Sequence, residues 1–233
     1  MTDHHQRTSR FLALHQSAQP LLLPNPWDRG STVLLAWLGF QALATTSSGF
    51  ADDPAGVADT LALALGAGLA GCSVEDFTGR PDDPIYDAGL AAERVRAAAE
   101  VAHGGPVHLV LTARAENHLH GRPDLADTIA RLQAYQEAGA DVLYAPGLRS
   151  LEDITRLVAS VDRPVNVLAV AGAPPVAELA AAGVGRISVG GAFAFAALGA
   201  VVEAATELRQ AGTYGFQQHA STGRTAAVSA FGA

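Results

Sequence analysis

Short apolar runs alternate along the chain with longer stretches whose apolar residues recur at helical spacing. Seven runs read as strands, at 21–25, 42–47, 71–76, 107–113, 141–145, 164–169 and 186–190. Helices are predicted near 29–38, 54–66, 87–102, 124–137, 150–160, 175–182 and 193–210. One pattern recurs as LGFQALATTSSG (38–49), AGLAGCSVEDF (67–77), AGADVLYAPG (138–147) and AGVGRISVGG (182–191). In each, a helix-like stretch ends in glycine, a β-rich run follows, and polar or glycine residues close it. Glycine suits the left-handed position just past a helix, and the brief runs suit strands covered on both faces. Arg122-Pro123-Asp124 and Ala173-Pro174-Pro175 supply cap and first-turn chemistry.

Strict alternation of strand and helix implies a parallel sheet, either open and doubly wound or closed into a barrel. No G-x-G-x-x-G follows the first strand, and polar residues gather at the C-terminal ends of many strands. Both features favour an α/β fold of the TIM-type (β/α) barrel, with parallel strands. Only seven of the usual eight strands are visible, in a chain shorter than the ~250 residues typical of that barrel, so one unit is missing. Residues 1–216 are expected to form a single barrel domain that includes the C-terminal helix 193–210. Residues 217–233, small and polar without a period, are expected as a flexible tail or an arm that docks on a neighbour.

Of the 233 residues 49% are hydrophobic, enough for a sizeable core. The formal charge is −8 and no basic run occurs, which argues against nucleic acid as a partner. All 15 basic residues are arginine. The absence of lysine excludes Schiff-base chemistry and a G-x-x-x-x-G-K-[ST] phosphate loop. Cys72 is the one cysteine, so internal disulfides and multi-cysteine zinc sites are excluded. With no secretory h-region and no apolar run of membrane length, a soluble cytoplasmic protein is expected.

The polar residues at strand ends are Asn25, Trp27 and Asp28; Thr46, Ser47, Ser48 and Gly49; Glu75 and Asp76; Arg114, Glu116 and Asn117; Tyr144; Asn166; and Gly190 with Gly191. In a barrel they would converge on one mouth, as an anion site with room for a metal. Ser47-Ser48-Gly49 reads either as a loop holding a carboxylate or phosphonate or as a polar turn. Adjacent carboxylates on a strand point to opposite sides, so Glu75 is assigned to a metal shell and Asp76 to capping the next loop, against the reading of two solvated carboxylates. Arg114 ends an apolar strand and should meet a carboxylate; a pair with Glu75 or Glu116 and a substrate clamp are both open. His118 and His120 read as a solvated loop rather than a metal site. Gly190-Gly191 fits either a phosphate at a helix start or a tight turn.

Together, NPWDRGSTVLLAWLGFQALATTSSGF, AGLAGCSVEDFTGRPDDPIYD, LTARAENHLHGRPDLADTIARLQAYQEAGADVLYAPG, PVNVLAV and RISVGGAFAFAALG resemble the isocitrate lyase / phosphoenolpyruvate mutase superfamily over nearly all of residues 8–216. The resemblance rests on the combined N-x-W-D, T-S-S-G, V-E-D, T-A-R-x-E and G-A-D strand ends. It implies an α/β barrel with Mg²⁺ at its mouth, in homodimers or homotetramers that exchange the last helix. It also implies making or breaking C–C or P–C bonds of small 2-oxo acids or phosphonates through an enolate. By the same resemblance Trp27, Ser47, Ser48, Gly49, Arg114 and Asn166 bind substrate, Arg114 and Ser48 are catalytic, and Glu75 lies in the metal shell.

Two departures qualify this. Family members continue after T-S-S-G through a helix to a strand ending in D-x-[DE]-x-G-[YF], which supplies the direct metal aspartate. Here SSGF runs into ADDPAGVADTLALALGAG, and Asp52 and Asp53 look like the start of the next helix. The thiol-using lyases carry K-[KR]-C-G-H after V-E-D, where this chain has FTGRPDDPIYD. The resemblance therefore points to the mutase, phosphonopyruvate hydrolase and oxaloacetate decarboxylase branches, with activity impaired by the missing segment. A non-catalytic relative that binds an oxo acid or serves as an oligomer subunit is the alternative. A phosphate-binding isomerase or synthase barrel rests on Gly190-Gly191 alone.

Overall fold

The computed structural model describes residues 2–45 and 53–232. Its strands are β1 (Leu21–Leu23), β2 (Gly71–Glu75), β3 (Val110–Arg114), β4 (Val142–Tyr144), β5 (Val165–Leu168) and β6 (Arg186–Ser188). Its helices are α1 (Thr2–Leu14), α2 (Arg29–Trp37), α3 (Pro54–Gly66), α4 (Ala88–His103), α5 (Leu125–Glu137), α6 (Leu151–Ala159), α7 (Val176–Ala181), α8 (Ala192–Gln210) and α9 (Gln217–Phe231). The strands form one sheet in the order β1-β6-β5-β4-β3-β2, with β2 to β5 parallel in consecutive pairs. This is the α/β fold of TIM-barrel type that the alternation predicts.

Six of the seven expected strands are present among the described residues. Residues 42–45 of the remaining one are not strand, and 46–47 lie outside the described residues. β1 and β2 are accordingly the two ends of the sheet order. The expected aperiodic tail instead forms α9, which packs on α2. Its Ala, Gln, Ser and Thr residues contain no proline to interrupt a helix, and Gly232, at φ 68°, ends it. α1 was not expected; its Phe11 ring lies so close to Gly71 that a Cβ there would meet it at 2.7 Å.

The chain divides into two compact units, Met1–Leu21 with Ser48–Ile187, and Leu22–Ser47 with Ser188–Ala233. In the first unit α3 to α7 cover one face of the sheet. Val57, Leu61, Val95, Ala98, Leu132, Ile154, Leu157 and Leu179 pack with Val74, Leu111, Leu143 and Val165 in one buried cluster. Each of the Val, Leu and Ile side chains contributes about 1.5–3 kcal/mol by leaving water. Asp53 caps α3 by accepting from Gly56 N–H at 2.8 Å, as its position before Pro54 suggested. Gly139, at φ 108°, and Gly183, at φ 82°, turn the chain from α5 into β4 and from α7 into β6, as the recurring helix–glycine–strand pattern required. In the second unit α8 has no buried residue, and Glu207 closes the turn to α9 by accepting from Thr213 Oγ1 and Gly215 N–H, each at 2.6 Å. Among the described residues no helix is long and apolar enough to cross a membrane.

Candidate functional site

Strand alternation separates two sets of side chains in the first unit. In β3, Leu111 and Ala113 join the helix-covered core, which leaves Val110, Thr112 and Arg114 on the opposite face. The strand register then places Glu75, Arg114, Tyr144 and Asn166 side by side as one row across β2, β3, β4 and β5. Arg114 is the centre of that row. Its Nε and Nη2 both reach Glu116 Oε1, at 2.7 and 2.6 Å, and its Nη1 lies 3.2 Å from Glu75 Oε2. The guanidinium carbon also sits 5.1 Å from the Tyr144 ring centroid. Both pairings left open by the sequence are therefore made at once.

The carboxylates next to Arg114 are fixed from behind. Arg94 of α4 donates from Nη1 to the Glu75 carbonyl at 2.7 Å. Asp76 points to the other side of its strand, as alternation demands, but it does not cap the following loop as expected. Its Oδ1 accepts from Glu116 N–H at 2.7 Å, and its Oδ2 accepts from Tyr135 OH at 2.6 Å and Arg131 Nη1 at 3.3 Å. A buried carboxylate needs such donors, and these tie the end of β2 to α5 and to the residues after β3. Burial pushes the Glu116 carboxyl up to about 7, with the charge of Glu75 adding to that and the Arg114 guanidinium opposing it. Burial works against the Arg114 charge, yet Glu116 and Glu75 leave its pKa raised.

A second guanidinium lies beside the row and was missed in the sequence. Buried Arg186, at the start of β6, donates from Nε to Asn166 Oδ1 at 2.8 Å and from Nη1 to Thr112 Oγ1 at 3.1 Å. Nη1 is also 3.2 Å from His15 Nε2, while His15 Nδ1 lies 2.8 Å from the Phe11 carbonyl. The carbonyl can only accept, so the proton sits on Nδ1 and Nε2 accepts from Arg186. Burial holds the Arg186 pKa down to about 10 and His15 down to about 4. The readable signal was alternation in Arg186-Ile187, which turns an arginine away from the helix-covered face.

The other expected residues fall elsewhere. Ser47, Ser48, Gly49 and Thr46 lie outside the described residues. Trp27 belongs to the second unit and is 50% exposed; Asp28 beside it caps α2 through Ser31. Asn25, in the same unit, donates from Nδ2 to the carbonyls of Ala44 and Thr45 at 3.0 and 3.2 Å and so anchors the backbone that leads to residue 46. Asn117 is buried against Thr128 Oγ1 at 2.7 Å. Gly190, at φ 54°, and Gly191 precede α8 in a tight turn. The NHLHG loop is not simply solvated: His120 stacks on Phe77 with ring centroids 3.9 Å apart, and His118 is partly buried. Stacking on an aromatic ring removes that imidazole face from water.

Mg²⁺ favours near-octahedral oxygen ligation. On this face the carboxylates are Glu75 and Glu116, and each turns an oxygen to Arg114. Among the described residues no third carboxylate joins them, because Asp76 faces away. These donors do not by themselves fit Mg²⁺. Among the described residues the one convergence of three metal-type side chains is His103, His108 and Asp141, at the opposite ends of the strands.

The phosphoenolpyruvate phosphomutase family model matches residues 11–52 and 47–209, two segments that meet where the sequence departs from T-S-S-G. The structure is similar to that of a "putative lyase/mutase" from Burkholderia cenocepacia J2315, with TM-score 0.89, 44% identity and 92% of each chain covered. It is also similar to a "putative phosphonomutase" from the same organism, with TM-score 0.81, 32% identity, and 90% of this chain and 100% of that chain covered. The uncharacterized protein Rv1998c of Mycobacterium tuberculosis is 27% identical over 220 residues, covering 77% of this chain and 81% of its own. At 19% identity and TM-score 0.74, with 88% of each chain covered, a phosphonopyruvate hydrolase in complex with oxalate and Mg²⁺ shares the fold.

Proposed function

The chain belongs to the phosphoenolpyruvate phosphomutase family, and from that premise we propose that it is a lyase or phosphonomutase-type enzyme acting on a small 2-oxo acid or phosphonate through an enolate. The single observation that carries this reading is the Glu75–Arg114–Tyr144–Asn166 row, with Arg186 buried beside it. Two guanidiniums on one sheet face favour an anion, and a preorganised donor at a developing oxyanion is a large catalytic contribution.

In this reading Arg114 holds the substrate carboxylate and the enolate oxygen. By the family resemblance Ser47, Ser48 and Gly49 would supply hydroxyl and backbone donors, with Ser48 aiding the chemical step, and Trp27 and Asn166 are the further residues that it assigns to substrate. Glu116 is suited to hold or release a proton near neutral pH, because burial has brought its carboxyl to about 7. A Mg²⁺ ion would supply charge neutralisation of the enolate. The resemblance assigns Glu75 to the metal shell; with its oxygen turned to Arg114, Glu75 and Glu116 do not by themselves make a Mg²⁺ site. The exposed apolar side chains of α8, Phe195, Leu198, Val201 and Val202, support a homodimer or homotetramer formed by exchange of that helix.

A second reading is favoured by the same contacts: Arg114 already carries two carboxylate partners, which suits a relative that binds an oxo acid without turning it over. Oxaloacetate decarboxylation and phosphonopyruvate hydrolysis, each with and without Mg²⁺, separate the two. The expected result is slow turnover by this chain and faster turnover once a D-x-[DE]-x-G-[YF] segment is restored. Binding with no turnover in either form favours the second reading. Full Mg²⁺-dependent activity in the unrestored chain would mean that another carboxylate, such as Asp52, serves the metal.

A further inference from the structure

We propose that His103, His108 and Asp141 form a site for one divalent transition-metal ion of the Zn²⁺ type, separate from the anion site. His103 is the last residue of α4, His108 lies just before β3, and Asp141 just before β4, so the site would sit at the strand ends opposite Arg114. Nε2 of His103 is 3.0 Å from Asp141 Oδ2, and Nε2 of His108 is 2.9 Å from Asp141 Oδ1. One potential ligand atom from each residue lies within 4.8 Å of the others.

Three features go beyond a satisfied hydrogen-bond cluster. The donor set is two imidazoles and one carboxylate, which suits Zn²⁺ and its first-row neighbours and is poor for Mg²⁺. The carboxylate is already oriented: Leu111 N–H donates to Asp141 Oδ2 at 2.8 Å, the kind of supporting bond that metal-binding carboxylates receive. The site is also open on one side, since the Asp141 side chain is 8% exposed but that of His108 is 42% exposed, which admits water to complete a tetrahedral shell.

The two imidazole rings stack with centroids 4.0 Å apart and planes 8° from parallel. Asp141 gives the cluster an anionic oxygen ligand, and the two stacked rings bring two imidazole nitrogens to it. A divalent cation complements it. Each Nε2–H now donates to an Asp141 oxygen; on metal binding the ring proton would move to Nδ1 and the Nε2 lone pair would turn to the ion. Because the ligands come from α4, the approach to β3 and the approach to β4, the ion would tie three segments together.

The test is titration of purified full-length chain with Zn²⁺ by calorimetry, and with Co²⁺ by visible absorption. His103→Gln and His108→Gln are the informative variants, because a glutamine amide still donates to Asp141 but is a poor Zn²⁺ ligand. The expected result is one Zn²⁺ per chain, weakened about 10-fold or more by either variant, with d–d bands from bound Co²⁺ and a metal-dependent rise in melting temperature. Mg²⁺ should not compete, and His4→Ala with His5→Ala, which removes the two histidines of α1, the half-buried His4 beside the Leu69 carbonyl and the exposed His5, should leave the affinity unchanged. Circular dichroism of the metal-free variants checks that they fold. If a variant does not fold, Co²⁺ bands in the wild-type chain at one equivalent, and their persistence in the His4/His5 variant, decide the matter. The absence of saturable binding, or binding that survives both glutamine variants, would overturn the proposal.

Discussion

Arg114 grips one oxygen of Glu116 with two nitrogens, at 2.7 and 2.6 Å, while Asp76 holds the Glu116 backbone N–H from behind at 2.7 Å. The arginine proposed to receive substrate is thus engaged by carboxylates whose positions are themselves fixed. An incoming anion must share Arg114 with Glu116 or replace it, and the protonation of Glu116 governs how readily it can.

Oxalate affinity is therefore expected to rise as pH falls through about 7, where Glu116 takes up a proton and loosens its hold on Arg114. Isothermal titration from pH 8 to pH 6 checks this, and Glu116→Gln should flatten the profile. Stability has its own sign. The folded carboxyl lies above its ordinary value of 4.5, so its contribution is full below that value and is lost as pH rises through about 7. Urea unfolding of Glu116→Gln should lack that decline.

His15 works in the opposite direction. Burial and the Arg186 charge hold it down to about 4 from 6.5, so its contribution to stability is present above 6.5 and is lost as pH falls towards 4. Thermal melts across that window should show the loss in the wild-type chain and a shallower slope in His15→Gln.

Much of the first unit was legible in the sequence, and the reason is periodicity. The bounds of α3 and α5 follow from caps at Asp53 and Asp124 and from apolar spacing, which are local signals. Arg114 meeting a carboxylate followed from the cost of leaving a cation unpaired at the end of an apolar strand. The Asp76–Tyr135 bond was not legible, because it joins residues 59 positions apart through tertiary packing. Nor was the His103–His108–Asp141 cluster, whose members come from the end of α4 and from the approaches to β3 and β4. α9 was missed for another cause: small polar residues give no apolar stripe, and its helix is set by packing on α2.

Tyr135→Phe removes a buried donor from Asp76 and should lower stability by about 1–3 kcal/mol. Asp76→Ala should cost more, about 3–5 kcal/mol, because it leaves Arg131 without that carboxylate. Denaturant unfolding measures both.

The apolar surface of α8 predicts at least a dimer at micromolar concentration. Replacing Phe195 and Val202, which are 71% and 64% exposed, with aspartate should yield a smaller species with a similar helical content. Sedimentation velocity reads the result; a wild-type monomer would remove the basis for helix exchange.

The most direct measurement is calorimetric titration of oxalate into the wild-type chain, Arg114→Ala and Arg114→Lys, with and without Mg²⁺. The proposed site predicts saturable binding at one oxalate per chain, lowered by about 30-fold or more in Arg114→Ala, the loss expected when a buried charged partner is truncated. Arg114→Lys should fall between, because an ammonium keeps the charge but cannot present two parallel donors. No saturable binding to the wild-type chain under either metal condition, or equal affinity in Arg114→Ala, would contradict the assignment of this row as the substrate site.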